Sequence, residues 1–355
     1  MVTEPEPAPN HHKRRVRYSG KNPRRYEEKY KEHNAAAHPE TVAKVIASGK
    51  TPAGQHLPIM VSEILDVLVP EPGQHAVDCT LGHGGHSIAL LRAIQPGGVL
   101  LALDQDPIES ARAEARLRSQ GYPEDSLVVR RMNFAGLRRA LDELGWEDGA
   151  DVILADLGLS SMQIDNPVRG FSFKQDGPLD MRMNPQRGIS ARDYLGRISP
   201  TKLAIALQQN SDEPRAAALS EALAGKDYPT TKALASAVRA SLGARMPEEE
   251  RDLSVQRVFQ AVRIEVNEEF TVLDSLLRQL PGCVRPGGRV AILTFHSGED
   301  RRVKHFFREG QRGGIFSKVN DEVIRASPEE QRLNPRSTSA KLRWGVRAGA
   351  GSNDG

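Results

Sequence analysis

Ala76-Val77-Asp78-Cys79-Thr80-Leu81-Gly82-His83-Gly84-Gly85-His86 is the stretch on which the fold turns. A short apolar run ends in an acid, passes a glycine-rich turn and enters a helical stretch over 87–93, closed by Pro96-Gly97-Gly98. Glycines at such a turn let the backbone approach a ligand and leave amide donors free at the helix start. Outward from it, Val99-Leu100-Leu101-Ala102-Leu103-Asp104 reads as a buried parallel strand. Pro107 then suits the first turn of a helix over 108–119. Leu127-Val128-Val129, Asp151-Val152-Ile153-Leu154-Ala155-Asp156 and Gly288-Arg289-Val290-Ala291-Ile292-Leu293-Thr294-Phe295 read as a third, fourth and fifth strand. Repeated strand–helix units predict an α/β fold, a mostly parallel sheet with helices on both faces.

The interval between the fourth and fifth strands breaks that rhythm. Residues 202–209, 214–224 and 232–242 look helical, and a strand-free stretch of this length is too long for a loop. The pattern predicts a helical insertion over 178–253, with one long amphipathic helix over 255–280 leading back to the sheet. The expected organisation is therefore an arm over 1–52, the sheet domain over 53–177 and 254–348, the insertion between them, and a tail over 349–355. A short helix is expected over 39–48.

The chain has 355 residues, 38% hydrophobic and 27% charged, which excludes disorder throughout. Two cysteines, Cys79 and Cys283, exclude a disulfide framework and a four-thiolate zinc site. No run of about 18 apolar residues suggests a membrane span, and the N-terminus has no apolar core like that of a secretory signal. A cytoplasmic protein is expected. The net charge of +3 is unevenly placed: residues 1–50 hold 11 basic and 6 acidic groups, the remaining 305 hold 38 and 40. The arm interleaves cations with Tyr18 and Tyr26, so it reads either as a solvated extension or as a segment that neutralises phosphates and stacks on bases. A second concentration, 12 basic against 7 acidic groups over 299–348, divides between a solvated face and a phosphate track.

Asp104 ends the second strand, 19 residues beyond Gly85, where the ribose of an adenosine would meet a carboxylate. NAD and S-adenosylmethionine both fit that spacing. Asp78 at the end of the first strand would repel a pyrophosphate and welcome an ammonium, and Ser87 stands where a third glycine is needed, so charge favours S-adenosylmethionine. Asp156 ends the fourth strand, which in such a sheet faces the reacting centre. A carboxylate there can accept a hydrogen bond from an exocyclic amino group and localise its lone pair; the alternative is a turn or N-cap residue. The ten histidines form no convincing metal-ligand pair, so no catalytic metal is expected.

Three strings are specific: Asp156-Leu157-Gly158-Leu159-Ser160-Ser161, Arg169-Gly170-Phe171-Ser172-Phe173 and Asp176-Gly177-Pro178-Leu179-Asp180-Met181-Arg182-Met183. With Phe259-Gln260-Ala261-Val262-Arg263-Ile264, Phe295-His296-Ser297 and Asn334-Pro335-Arg336, they closely resemble the bacterial small-subunit (16S) ribosomal RNA cytosine-N4 methyltransferases. The resemblance implies a class I S-adenosylmethionine-dependent methyltransferase, Rossmann-like, with an inserted helical subdomain that helps hold RNA. It implies cofactor-binding positions at Gly84, Gly85, His86, Asp104, Phe134, Asp156 and Gln163, with Phe134 beside the adenine. It implies N4-methylation of a decoding-site cytidine, the substrate being small-subunit rRNA, free or within the assembled subunit. Asp156, helped by Ser160 or His296, would orient the amino group. His296 reads either as a contact to the target nucleotide or proton relay, or as part of a helix start in which Ser297 is the N-cap and Asp300 its N3 partner.

Four departures fall mostly on the substrate side: Asn210 and Ser211 where Tyr-Gly is expected, Gly298 for a leucine, and Thr338 for an arginine. They leave open a rival reading, a non-catalytic RNA-binding or ribosome-assembly protein on the same fold, or a shifted RNA target. An NAD-dependent oxidoreductase is the remaining alternative.

Overall fold

Strand β1 (His75–Asp78) sits between two parallel neighbours in the computed structural model, which describes residues 58–349. On one side β2 (Val99–Leu103) pairs Val77 with Leu101; on the other β4 (Ala150–Asp156) pairs Val77 with Ile153. With β3 (Leu127–Arg130), β5 (Val284–Thr294), β6 (Phe316–Val319) and β7 (Lys341–Arg347), the order is β3-β2-β1-β4-β5-β7-β6. β7 runs antiparallel to both β5 and β6. The chain leaves β1 for β2 and returns on the other side as β4. The crevice at the carboxyl ends of such strands is where this architecture binds ligands.

Alternate residues of each strand feed the two faces. Val77, Leu101, Ile153 and Ile292 face α4 (Leu137–Asp142), α11 (Glu269–Cys283) and α12 (Ser297–Arg312) through Leu141, Leu276 and Phe307. Ala76, Leu100, Val152 and Ala291 face α1 (Val61–Leu68), α2 (Gly85–Ile94) and α3 (Pro107–Arg118) through Leu68, Leu91 and Leu117. Strands buried on both faces explain the nearly continuous apolar runs. Between β4 and β5 come α5 (Ser161–Asp165), α6 (Ala191–Arg197), α7 (Pro200–Ser211), α8 (Ala216–Leu223), α9 (Thr231–Ser241) and α10 (Glu248–Val266). Helices α6 to α10 surround a third core that includes Leu195, Leu207, Leu219, Leu234 and Val258.

The sheet has two more strands than the five expected. β6 is only four residues long, and β7 (KLRWGVR) alternates with cations, so its periodicity reads as basic surface. The long helix expected over 255–280 is two helices, α10 and α11, broken at Asn267 and Glu268. Glu268 lies in the left-handed region (φ 51°), and the Asn267 side chain donates to the carbonyls of Arg263 and Met181 at 2.9 and 2.8 Å. Apolar periodicity continues through both helices and does not register a break made by the backbone. A further short helix, α13 (Pro328–Leu333), precedes β7. The arm over 1–52, the helix expected over 39–48 and residues 350–355 lie outside the described residues.

Candidate active site

The turn after β1 is held together from below. Asp78, fully buried, accepts from the Ser87 hydroxyl (2.6 Å) and the Thr80 amide (3.0 Å). Burial pushes its carboxyl up, against those donors. Asp78 therefore ties the turn to α2 and does not line the cavity, so it does not stand where the sequence suggests it would meet a ligand ammonium. Gly84 also stays outside the lining: its φ of 85° makes the left-handed entry to α2, a conformation that favours glycine. Gly85 does line it, and a Cβ there would sit 2.8 Å from Pro58.

The cavity, about 380 Å³, opens at the carboxyl ends of β1, β2, β4 and β5. Gly85, His86, Asp104, Phe134, Asp156, Ser160, Gln163 and His296 all border it, so residues scattered over some 210 positions of chain meet in one place. Asp104 accepts from the amides of Gly82 and Asp106, each at 2.8 Å. Burial nevertheless pushes its carboxyl up to about 6. Phe134 opens a short 3-10 turn after β3, capped by Asn133, whose side chain accepts from the Ala135 amide (2.9 Å).

Asp156 carries the densest electrostatics. Its amide donates to the Thr80 hydroxyl at 2.7 Å, and its Oδ2 lies 3.4 Å from His86 Nδ1. His86 Nε2 lies 2.9 Å from the Ile59 carbonyl, so the protonated ring donates on both sides. Burial opposes that charge, but the bond to Asp156 and the charges of Asp156 and Asp78 raise the imidazole to about 9. Asp156 Oδ1 is buried and has no hydrogen-bond partner among the described residues, although the side chain keeps 27% of its surface exposed.

Ser160 is the N-cap of α5 in a reciprocal pair with Gln163: its hydroxyl accepts from the Gln163 amide and its own amide donates to Gln163 Oε1. Gln163 Nε2 in turn donates to Asp106 Oδ2 at 2.9 Å. Asp106 was not singled out from sequence, yet it is central. It caps α3 and also receives Arg169 Nη1 at 2.8 Å, both side chains being nearly inaccessible. Arg169 continues to the carbonyls of Arg182 and Met183, and Met183 borders the cavity. An acid two residues beyond Asp104 and next to Pro107 was a legible N-cap; its distant partners were not.

The far wall comes from α10, α11 and the segment after β5, with Gln260, Arg263, Asn267, Glu269 and His296. Arg263 Nε and Nη2 donate to the two Glu269 oxygens, each at 2.8 Å. Helix α12 begins one residue earlier than expected. His296, not Ser297, is its N-cap, and Glu299, not Asp300, accepts from the amides of Phe295 (2.9 Å) and His296 (3.4 Å). Despite burial, His296, the Phe295 amide and the Arg263 charge hold the Glu299 carboxyl below its usual range. His296 Nε2 lies 3.3 Å from Glu299 without hydrogen-bond alignment, and both ring nitrogens are covered. Donor atoms of Glu269, His296 and Glu299 lie within 4.8 Å of one another, and Glu269 among them is already paired with Arg263.

The departures have local accounts. A Cβ at Gly298 would meet Phe270 at 2.5 Å, so the ring fills the space of a larger side chain. Asn210 donates to Glu265 (2.6 Å) and receives Gln260 on its carbonyl (2.8 Å). The Ser211 hydroxyl donates to the Leu207 carbonyl, and the next residue, Asp212 (φ 51°), receives Ser297 and Arg301 from α12. Nothing in the structure explains Thr338. The basic stretch over 299–348 is largely committed: Lys341 and Arg343 both pair with Asp300, Arg336 with Asp165, and Arg302 lies over Phe270. Arg343 is buried, whereas Arg301, Arg308 and Arg312 on α12 are exposed.

The sequence model of the MraW methylase family matches residues 53–347. "Ribosomal RNA small subunit methyltransferase H 1" of Lachnoclostridium phytofermentans is 47% identical over 346 residues, covering 95% of this chain and 93% of that protein. The protein of the same name from Agathobacter rectalis is 48% identical, covering 95% and 98%. "Ribosomal RNA small subunit methyltransferase H 2" of Alkaliphilus metalliredigens is 46% identical, covering 94% and 97%.

Proposed function

The chain belongs to the MraW methylase family, an S-adenosylmethionine-dependent methyltransferase acting on small-subunit rRNA, and from that premise we propose that it methylates the exocyclic N4 of a decoding-site cytidine. One observation carries the reading: a cavity-lining carboxylate at the end of β4 has one oxygen paired with a cationic His86 and the other, Oδ1, without a partner among the described residues. A buried acceptor left unpaired calls for a donor, and an aryl amine supplies one.

The residues present fit the cofactor. The left-handed glycine turn leaves room for a ligand against backbone amides at the start of α2, Asp104 has lone pairs to spare for ribose hydroxyls, and Phe134 offers an apolar face to the adenine. When bound, S-adenosylmethionine supplies an already activated methyl group. The protein's work is then to orient and to handle a proton. Asp156 accepts from the N4 amino group, drawing its lone pair out of conjugation and toward the methyl. His86 holds Asp156 in place. The proton released from nitrogen passes to Asp156. An unstacked base is the ordinary way to bring such an edge into a pocket, and positioning dominates the rate because no nucleophile needs generating. The helical insertion over 178–253 serves to hold the RNA.

Asp156→Asn preserves shape and removes the charge. Single-turnover methylation of undermethylated small subunits at saturating cofactor should fall about 100-fold or more. Nucleoside mass spectrometry of the product should show N4-methylcytidine with the wild-type protein. A wild-type rate in the variant would sink the role of Asp156, and unchanged N4-methylcytidine in a deletion strain would favour the non-catalytic rival.

A further inference from the structure

Several polar groups of the far wall are already committed. Asn267 donates to the carbonyls of Met181 and Arg263 and accepts from the Met183 amide (2.7 Å). Glu299 receives two backbone amides, whereas both His296 nitrogens are buried without a hydrogen-bond partner among the described residues and carry no exposed donor. Two arginines border the cavity, and no lysine among the described residues does. Arg336 is drawn off by Asp165 at 2.7 Å. Arg263 differs. Its Nε and Nη2 are clamped by Glu269, while Nη1 makes no hydrogen bond among the described residues and the side chain retains 17% of its surface. The bidentate clamp fixes the plane of the guanidinium, so the uncommitted donors point in one set direction.

Asp156 on one side of the cavity thus offers an acceptor, and Arg263 on another offers donors. An aminopyrimidine presents the complement: amino N–H donors beside a ring nitrogen and a carbonyl, both acceptors. A pyrimidine with a carbonyl in place of the amino group reverses the first two positions. We propose that Arg263, held rigid by Glu269, donates to the N3–O2 acceptor edge of the target cytosine and so determines which base can present its amino group to Asp156. Glu269 is the positioning residue. This assignment rests on the N4-methylation reading above.

The test uses the full-length protein on undermethylated small subunits, with S-adenosylhomocysteine binding followed by calorimetry. Arg263→Gln and Arg263→Lys should each lower kcat/KM about 30-fold, the size expected for a lost hydrogen bond to a charged donor. Cofactor-product affinity should stay within about twofold of wild type. Lysine should not rescue, because a point charge cannot replace a planar fork. Because a single change strands Glu269, the paired variant Arg263→Met with Glu269→Met is also made. It should recover the wild-type melting temperature and remain as impaired as Arg263→Gln. Three results would each overturn the assignment. Near-wild-type activity of Arg263→Lys would mean a phosphate contact. A tenfold loss of S-adenosylhomocysteine affinity would mean that Arg263 serves the cofactor carboxylate. Recovery of activity in the paired variant would reduce the ion pair to a structural role. Failure of the parent reading looks different: wild-type protein would then yield no N4-methylcytidine at all.

Discussion

Asp104 follows β2 and Asp156 ends β4, the two strands that flank β1, yet their surroundings differ. Asp104 is buried beside other carboxylates, and burial raises its carboxyl to about 6 despite two amide donors. On the proposed reading it holds the ribose as an anion, so its proton must leave before the cofactor product binds. S-adenosylhomocysteine affinity should therefore be flat above pH 7 and fall as pH drops through 6, by about tenfold at pH 5. Asp104→Asn should bind more weakly at pH 7 and lose that dependence, both measurable by calorimetry. Of the residues in this site, Asp104, Asp156 and the glycine turn were legible because each follows directly from a strand end. Arg263 and Glu269 were not, since the clamp joins the end of one helix to the start of the next across a break that periodicity cannot register. Ser160 and Gln163 were legible as positions, but their use in capping α5 needed the coordinates.

At the level of elements, the buried knot of Asp106, Gln163 and Arg169 joins the start of α3, helix α5 and the segment through Met183. Both charges of the ion pair are nearly inaccessible. Arg169→Met would leave the Asp106 carboxylate uncompensated and should destabilise the protein by about 3–5 kcal/mol, read from urea denaturation. It should also weaken cofactor-product binding, because Met183 is no longer held against the cavity. Long-range partners also set the start of α12 at His296. Ser297 and Asp300 look like an N-cap and its partner, yet Ser297 turns to Asp212 and Asp300 to Lys341 and Arg343. Local chemistry permitted two phases of capping one residue apart, and long-range partners chose between them.

Across the whole molecule, the recognised family spans residues 53–347, so the +5 charge of residues 1–50 lies outside it. If that arm contacts phosphates, deleting residues 1–50 should weaken affinity for small subunits and flatten its dependence on salt concentration. An unchanged slope would make the arm a spacer. No helix of the described residues is long and apolar enough to cross a membrane. The sequence by itself determined the α/β plan, the glycine turn, the two strand-end carboxylates and the family, because these depend on residues near one another in the chain and on short-range periodicity. Tertiary structure alone decided that Asp78 serves the turn, that Lys341 and Arg343 pair with Asp300, and that Arg263 retains uncommitted donors. Each of those is a question of which partner a charge finds, and a charge buried far from water is settled by groups that come near only when the chain folds.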